Sequence, residues 1–383
     1  SLRLVPKGVV SHWVAGNVPM LAVFSWILSA LCGNRNVIRL SSRLADVISP
    51  LLDVIASGSD TGAEICNESV VVTFDREYQA ALEEMSMCGF CGMSYFDAER
   101  PVDESVLRRM NATIKHRGPD GDGYYAGPGA GLAFQRLSII DLERGWQPIY
   151  NEDRSMVICF NGEIYNHRAL REELKPNHTF GSGADTEVIL HGYEEWGESI
   201  VSRLRGMFAF AIWDMKRGKL FMARDRLGIK PLYYYQSPRG LVFGSEIKTI
   251  LEHPDVEKKL DAEAVDSYMS LLYVPSPLSI WKNLRKLPAG HVLVQQGDCI
   301  QVRQYWDMHF GDARQAPGEE QWCEEVLDAL DETVSSHLES DVPLGAFLSG
   351  GIDSSAVVSS MARTVSDPVK TCAIGFSEKA WDE

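Results

Sequence analysis

Apolar and polar residues follow three patterns along the chain, and each pattern predicts a different architecture. Up to residue 86, apolar runs such as Val18 to Cys32 are bounded by Gly and Asn turns, and the order strand, turn, helix, turn, strand predicts a βαβ-like fragment. From Cys88 to about residue 300, short β-rich runs predict an α+β sandwich with helices outside its sheets. Beyond residue 318, helix and strand periodicities alternate as in a parallel α/β sheet.

Within the middle segment, the period of the hydrophobic residues and the positions of turn residues predict individual strands and helices. Runs 133–140 and 155–160 have strand character, and 207–213 is expected to form a hairpin with 220–223 across the turn 216–218. Apolar residues one turn apart predict helices at 167–173 and 186–196. These elements would supply both layers of the predicted sandwich.

The last segment opens with a long amphipathic helix, Glu319 to Leu338. Its apolar face is expected to carry Val326, Leu330, Val334 and Leu338. A strand at 343–348, the loop 349–355, a helix and a strand at 370–376 then complete a βαβ unit.

Composition narrows the function classes. The chain has 383 residues and a formal net charge of -16, which argues against a nucleic-acid-binding surface because phosphate contacts need clustered Lys and Arg. Its most apolar run is shorter than a membrane helix of roughly 20 residues, so no membrane partner is expected. The eight cysteines have no disulfide-framework spacing, which favours a reducing, cytoplasmic setting.

Two glycine-containing sites carry candidate chemistry. Loop 349–355, Ser-Gly-Gly-Ile-Asp-Ser-Ser, stands between a strand and a helix, where backbone N–H groups and the positive helix end would bind phosphate. It lacks the Lys of a P-loop. Residues 88–91 match the pattern Cys-x-x-Cys, but no second Cys pair or His pair lies nearby to complete a zinc site.

Cys88 is the candidate nucleophile. A thiol on the first residue of a chain can use its own α-amino group, with a pKa of roughly 8, as its base. Met87 before Cys88 is what removal of an initiator Met would expose. The pair Asn161-Gly162, after the predicted strand 155–160, could donate hydrogen bonds to an oxyanion.

A set of ordered motifs from Cys88 onward resembles the glutamine-hydrolysing asparagine synthetases. The matching runs are 87–92 (MCGFCG), 116–120 (HRGPD), 136–139 (RLSI), 160–166 (FNGEIYN), 185–187 (DTE), 206–211 (GMFAFA), 223–233 (ARDRLGIKPLY) and 349–355 (SGGIDSS). The segment Pro6 to Pro19 instead resembles the acyl-CoA reductases related to aldehyde dehydrogenases.

The resemblance implies three parts. Residues 1–86 would be a reductase-like fragment, and residues 87–300 a type 2 glutamine amidotransferase domain with an N-terminal-nucleophile hydrolase sandwich. Residues 318–383 would be an incomplete ATP-pyrophosphatase domain of Rossmann-like topology. The implied reaction is the ATP-dependent amidation of aspartate, with glutamine, aspartate and ATP as substrates and Mg²⁺ on the phosphates; a homodimer is left open.

The resemblance also assigns roles by matching position. Cys88 would attack the glutamine amide, form a thioester and release ammonia, while Asn161 and Gly162 stabilise the oxyanion. Glutamine would be bound by the side chains of Arg136, Glu163 and Asp185 and the backbones of Ile139 and Ile140. ATP would be bound by Leu348, Ser349, Gly350, Gly351, Asp353, Ser354 and Ile374, with Asp353 on Mg²⁺.

Some of these residues also have structural interpretations. Asp185 is expected to cap the helix that starts at Thr186 as well as to bind substrate. Arg136 could instead form a surface ion pair. His116 and Arg117 are expected to build the loop near Cys88 rather than to bind metal.

Two departures from the family pattern leave alternatives open. Residues precede Cys88, so its nitrogen is an amide and cannot act as a base. Three explanations are open: cleavage after Met87, translation from Met87, or two neighbouring genes read as one. The last two are favoured. The chain ends at Glu383, before the aspartate-binding positions, so a ligase for another carboxylate and a catalytically dead binding module remain alternatives. A nicotinamide-linked reductase would depend on residues 1–86 alone.

Overall fold

The structure, a computed structural model, divides into two units, Ser1–Ser86 and Met87–Glu383. The residues it describes are 9–13, 35–40, 69–73, 88–137, 141, 144–308, 318–341, 344–348 and 351–373. Among the described residues, no helix is both long and apolar enough to cross a membrane.

In the first unit the structure describes three strands. They are β1 (Val9–Trp13), β2 (Arg35–Leu40) and β3 (Ser69–Thr73), and they pair in parallel in that order. Parallel neighbours need a crossover between them, in agreement with the βαβ-like pattern of the sequence. The predicted helix at Val18 to Cys32 lies outside the described residues.

The second unit contains two six-stranded antiparallel sheets. The first has the order β13-β11-β12-β4-β6-β5, built from β4 (Gly89–Tyr95), β5 (Gly121–Ala126), β6 (Ala130–Arg136), β11 (Tyr233–Ser237), β12 (Gly240–Gly244) and β13 (Leu284–Lys286). The second has the order β15-β14-β10-β9-β8-β7, built from β7 (Ile149–Tyr150), β8 (Met156–Ile164), β9 (Gly206–Asp214), β10 (Lys219–Arg224), β14 (His291–Gln296) and β15 (Cys299–Gln304). The predicted hairpin is β9 and β10, with Ile212 opposite Phe221.

Helices cover the outer faces of both sheets. They are α1 (Glu104–Ala112), α2 (His167–Leu174), α3 (Thr186–Trp196), α4 (Ile200–Arg203), α5 (Ile247–Leu251) and α6 (Ala262–Leu271). One buried cluster joins the second sheet to α2 and α3, a second lies between the sheets, and a third joins the first sheet to α1 and α5. Residues alternate between the two faces of a strand, so each strand can contribute to a cluster on either side of its sheet. The three clusters show that both sheets are buried on both faces, and the predicted α+β sandwich is confirmed.

A short α/β region follows the sandwich. It contains α7 (Glu319–His337), β16 (Gly345–Phe347), α8 (Ile352–Thr364) and β17 (Lys370–Cys372), with β16 and β17 parallel. The predicted βαβ unit is therefore present. The apolar face of α7 is covered only toward its end, since Val334 is buried whereas Val326 is 60% exposed.

Candidate active site

Cys88 directly precedes β4, a central strand of the first sheet. Its Sγ atom is 3.2 Å from both the N–H nitrogen and the carbonyl oxygen of Leu137, the residue that follows β6. Antiparallel pairing of β4 with β6 brings these two strand ends together. Register and backbone contacts therefore fix the position of the thiol.

A cationic loop supports the backbone of Cys88. Arg117 Nε donates to the Cys88 carbonyl oxygen at 3.2 Å, and its guanidinium also contacts Glu246 at 3.1 Å. His116 contacts the same Glu246 carboxylate at 2.9 Å. Burial raises the pKa of Glu246, but hydrogen bonds from His116 and Lys248 outweigh it and lower that pKa to about 2. His116 and Arg117 thus build the loop beside Cys88, as the sequence predicts.

One cavity brings together five of the residues that the sequence singled out. Its lining includes Cys88, Arg136, Gly162, Glu163 and Asp185. Seven uncharged residues complete the described wall: Phe134, Leu137, Gly145, Gln147, Phe160, Ala184 and Thr186. The two charge signs and the thiol are what a zwitterionic amino acid with a reactive side chain would require.

Arg136 ends β6 and is buried, so its surface ion-pair interpretation is wrong. Its guanidinium donates to the carbonyl oxygen of Asp141 at 2.6 Å and lies over the ring of Trp146, 4.6 Å from the centroid. Stacking and hydrogen bonding orient the planar group within the cavity wall.

Asn161 presents an unpartnered donor. It lies on β8 two residues after Cys159, so both side chains face the first sheet, and Cys88 packs against the same cluster as Cys159. Asn161 is 1% exposed, and its Nδ2 has no hydrogen-bond partner among the described residues. A buried N–H without a partner is costly, so this amide retains an unused capacity to donate. Asn161 does not itself line the cavity, whereas its neighbour Gly162 does.

Gly162 next to it has no room for a side chain. A Cβ atom there would lie 2.0 Å from the carbonyl oxygen of Met207 on the paired strand. Only glycine fits this close approach.

Asp185 occupies the position before α3 but does not cap the helix. Its backbone is helical, with φ -68 and ψ -21, and its side chain makes no capping hydrogen bond. Its Oδ2 instead accepts from the N–H of Ile164 at 2.9 Å, at the end of β8. The predicted helix cap is therefore wrong, because the Asp185 carboxylate accepts a hydrogen bond from Ile164 N on β8 instead of from its own helix.

Two carboxyls in the cavity, the buried Asp185 and the half-buried Glu163, have raised pKa values. Burial, together with the nearby charge of Glu163, raises the pKa of Asp185 to about 7 although backbone hydrogen bonds oppose the shift. Burial likewise raises the pKa of Glu163, with Lys230 opposing. Such shifts are common at functional sites.

Lys230 is a charged residue that sequence reasoning gave no role. Its side chain is buried, and burial lowers its pKa while the charges of Glu163 and Cys88 raise it. Burial raises the pKa of the Cys88 thiol, whereas the Leu137 backbone and the charges of Lys230 and Arg136 lower it. The matched run 223–233 contains Lys230, but only the fold brings it toward Cys88.

The end of α7 contacts the sandwich close to this cavity. Glu339 contacts His167 at 2.9 Å and Arg168 at 2.7 Å, and its charge raises the pKa of Glu163. The ring of His337 stacks on Tyr165 with centroids 3.8 Å apart. The α/β region therefore docks beside β8, next to the residues of the cavity.

The predicted phosphate loop is described in part. Gly351 precedes α8, Asp353 lies exposed in its first turn, and the Ser354 hydroxyl donates to the Gly351 carbonyl at 3.1 Å. Leu348 N donates to the Cys372 carbonyl at 2.9 Å, which joins the strand ends. Ser349, Gly350 and Ile374, like Ile139 and Ile140, lie outside the described residues.

Three protein-family models match the chain. The family described as "Glutamine amidotransferase domain" matches residues 87–306, "Asparagine synthase" matches residues 325–383, and "Acyl-CoA reductase" matches residues 1–91. The first match covers more than half of the chain.

Several curated relatives are asparagine synthetases. The chain is 41% identical over 302 residues to asparagine synthetase [glutamine-hydrolyzing] 1 of Bacillus subtilis, an alignment covering 78% of this chain and 47% of the relative. It is 40% identical to a putative asparagine synthetase of Methanocaldococcus jannaschii, covering 78% and 61%. It is 36% identical to asparagine synthetase B of Escherichia coli, covering 71% and 44%. The chain thus spans about half the length of the curated relatives it matches.

Proposed function

This chain belongs to the family of glutamine amidotransferase domains, and from that premise we propose that, in the form whose first residue is Cys88, it hydrolyses glutamine at that residue to supply ammonia for the synthesis of asparagine. The observation that carries the proposal is the convergence of Cys88, Arg136, Glu163 and Asp185 on one cavity. The likeness to asparagine synthetases supports the acceptor, aspartate.

Each residue has a chemical task in this proposal. The free α-amine of Cys88 takes the thiol proton, and the thiolate attacks the side-chain amide carbon of glutamine. Asn161 Nδ2 and the backbone N–H of Gly162 stabilise the oxyanion. Ammonia leaves with the transferred proton, and water then hydrolyses the thioester to glutamate.

Charge complementarity positions the substrate. Arg136 binds the α-carboxylate in a bidentate manner, and the carboxylates of Glu163 and Asp185 bind the α-ammonium. The buried setting strengthens these pairs relative to water.

The α/β region would use the ammonia. Gly351, Asp353 and Ser354, at the start of α8, have the donor groups and the carboxylate that a nucleotide phosphate and its Mg²⁺ require. ATP would activate the aspartate carboxylate as an adenylate, which ammonia then attacks. We place this chemistry in the cytoplasm and assign residues 87–300 to glutaminase and 318–383 to the synthetase part.

Ammonia release tests the nucleophile. A chain that is translated from Met87 and loses this initiator Met has Cys88 as its first residue. This chain is expected to release ammonia from glutamine, and Cys88→Ala in it should abolish the release. Cys91→Ala is the matched control, because the Cys91 thiol is buried in the core beneath α1 and does not line the cavity.

The 383-residue chain provides the second comparison. Its Cys88 nitrogen is an amide, so it should release no ammonia above the Cys88→Ala background. Equal release by the two chains, or unchanged release after Cys88→Ala, would refute the N-terminal nucleophile.

A further inference from the structure

Four potential metal ligands meet on the side of the sandwich where α3 packs. Glu152 lies in the turn before β8, His178 lies between α2 and α3, and His191 and Glu194 stand one turn apart on α3. One ligand atom from each residue lies within 4.8 Å of the other three. We call these four residues the His/Glu cluster; none of them lines the cavity at Cys88.

Four nitrogen–oxygen distances within the His/Glu cluster lie close to the spacing of ligands around a metal ion, with Glu152 facing the two imidazoles through different oxygens. His178 Nδ1 is 3.3 Å from a Glu152 oxygen and 3.8 Å from a Glu194 oxygen. His191 Nδ1 is 3.5 Å from Glu152 and 3.0 Å from Glu194. Tetrahedral Zn²⁺ with bonds of about 2.0–2.2 Å holds its ligands about 3.3–3.6 Å apart. Small side-chain movements would close the site around an ion.

The pairing pattern points to a shared centre. Each of the two Nδ1 atoms makes one hydrogen bond, His178 to Glu152 and His191 to Glu194, and each also approaches the other carboxylate, at 3.8 Å and 3.5 Å respectively. The two imidazole rings stack with centroids 4.6 Å apart, so their nitrogens face the same region. Two carboxylates and two imidazoles would balance a divalent cation.

Outer contacts orient the ligands. His178 Nε2 contacts Glu195 at 3.1 Å, which leaves Nδ1 for the metal. Asn151 Nδ2 donates to the other Glu194 oxygen at 2.7 Å, and Thr179 N donates to Glu152 at 3.0 Å. Metal-binding histidines and carboxylates are held by such partners in known metal sites.

We propose that Glu152, His178, His191 and Glu194 bind one Zn²⁺ ion. Two imidazoles and two carboxylates whose ligand atoms lie within 4.8 Å of one another suit zinc better than the oxygen-preferring Mg²⁺ or Ca²⁺. The ion ties the turn before β8 and the segment after α2 to α3, whose first turn follows the cavity residue Asp185. The site is therefore structural and holds together the elements behind the cavity.

Zinc binding to the full chain tests the proposal. The protein is stripped with a chelator and titrated with Zn²⁺ alone against a chromophoric zinc chelator. One equivalent is expected to bind, and zinc-edge X-ray absorption should show only nitrogen and oxygen ligands with an imidazole contribution. Sulfur ligands would place the ion on cysteines and overturn the assignment.

Variants separate ligands from their supports. Glu152→Gln changes an exposed ligand, leaves the core intact and should raise the zinc Kd more than about 100-fold. Glu195→Gln alters only an outer contact and should raise it about 10- to 100-fold. His291→Gln, on β14, is the control and should bind zinc like the wild type.

Thermal unfolding adds a second readout. Zinc should raise the Tm of the wild type and of His291→Gln but not that of Glu152→Gln. Equal zinc affinity and equal Tm shifts in the wild type and Glu152→Gln would refute the site.

Discussion

Replacing Asn161 by Ala should separate catalysis from stability. The Asn161 Nδ2 is buried and has no hydrogen-bond partner among the described residues, so in the resting protein this atom contributes no stabilising hydrogen bond. In the reaction it would donate to the oxyanion, and loss of one such donor costs about 10²- to 10³-fold in kcat, or about 3–4 kcal/mol. The KM for glutamine should change little, because the oxyanion forms only in the transition state.

The expected effect on folding is small. Deleting an unsatisfied buried donor removes a desolvation cost of about 1–3 kcal/mol, which offsets the loss of packing around a shortened side chain. The free energy of unfolding should therefore fall by no more than about 1 kcal/mol. Urea titration followed by circular dichroism measures this value.

Asn151, directly after β7 of the same sheet, is the matched control. Its Oδ1 accepts from Met156 N at 2.9 Å, and its Nδ2 donates to Glu194 at 2.7 Å and to Ser155 at 3.3 Å. Asn151→Ala should lower the free energy of unfolding by about 2–4 kcal/mol and leave kcat within about threefold.

Ammonia release and unfolding are measured for both variants in the chain that starts at Cys88. The reasoning is refuted if Asn161→Ala keeps kcat within tenfold of the wild type. It is equally refuted if kcat and stability fall together in Asn161→Ala as in a misfolded protein.

The remaining predictions concern the acidity and packing of the cavity. The pKa of Asp185 is raised from 3.8 to about 7, so between these pH values the folded state keeps a proton that the unfolded state loses. The free energy of unfolding should therefore fall from pH 4 to pH 7. Asp185→Asn should flatten this fall in denaturant titrations at each pH. Glutamine affinity should rise as pH increases through about 7, where the Asp185 carboxylate forms, and Asp185→Asn should weaken binding and abolish the pH dependence in KM measurements; an unchanged profile would exclude Asp185 as the ammonium ligand. Gly162→Ala should lower the free energy of unfolding by about 2 kcal/mol or more in denaturant titrations, since its Cβ would lie 2.0 Å from the Met207 carbonyl oxygen. Gly181→Ala, whose Cβ would have an ordinary 3.5 Å contact, is the control, and equal effects would contradict the packing argument.

The local pattern of hydrophobic and turn residues is sufficient to predict elements that are formed by residues close together in the sequence. The β9–β10 hairpin and α3 were predicted from period and turn residues, and the structure has them at Gly206–Arg224 and Thr186–Trp196. The order of the motifs likewise indicates the glutamine amidotransferase family without any tertiary contact. These features depend on residues close in sequence or on a long series of ordered matches.

Contacts between distant residues explain what the sequence could not predict. Asp185 accepts from Ile164 N rather than capping its own helix, because β8 and α3 meet only after folding. Val326 is exposed although it lies on the apolar stripe of α7, since burial depends on which element packs there.

By itself, the sequence determined the sandwich and the α/β region and indicated Cys88 as the candidate nucleophile, because hydrophobic period, turn chemistry and motif order are properties of neighbouring residues. Only the tertiary structure decided which charges act on Cys88, with Lys230 brought toward it, and that Glu152, His178, His191 and Glu194 converge. The four cluster residues have no motif spacing, since three separate segments supply them. Cavities and charge clusters require that segments distant in the chain pack together, and no local pattern specifies that geometry.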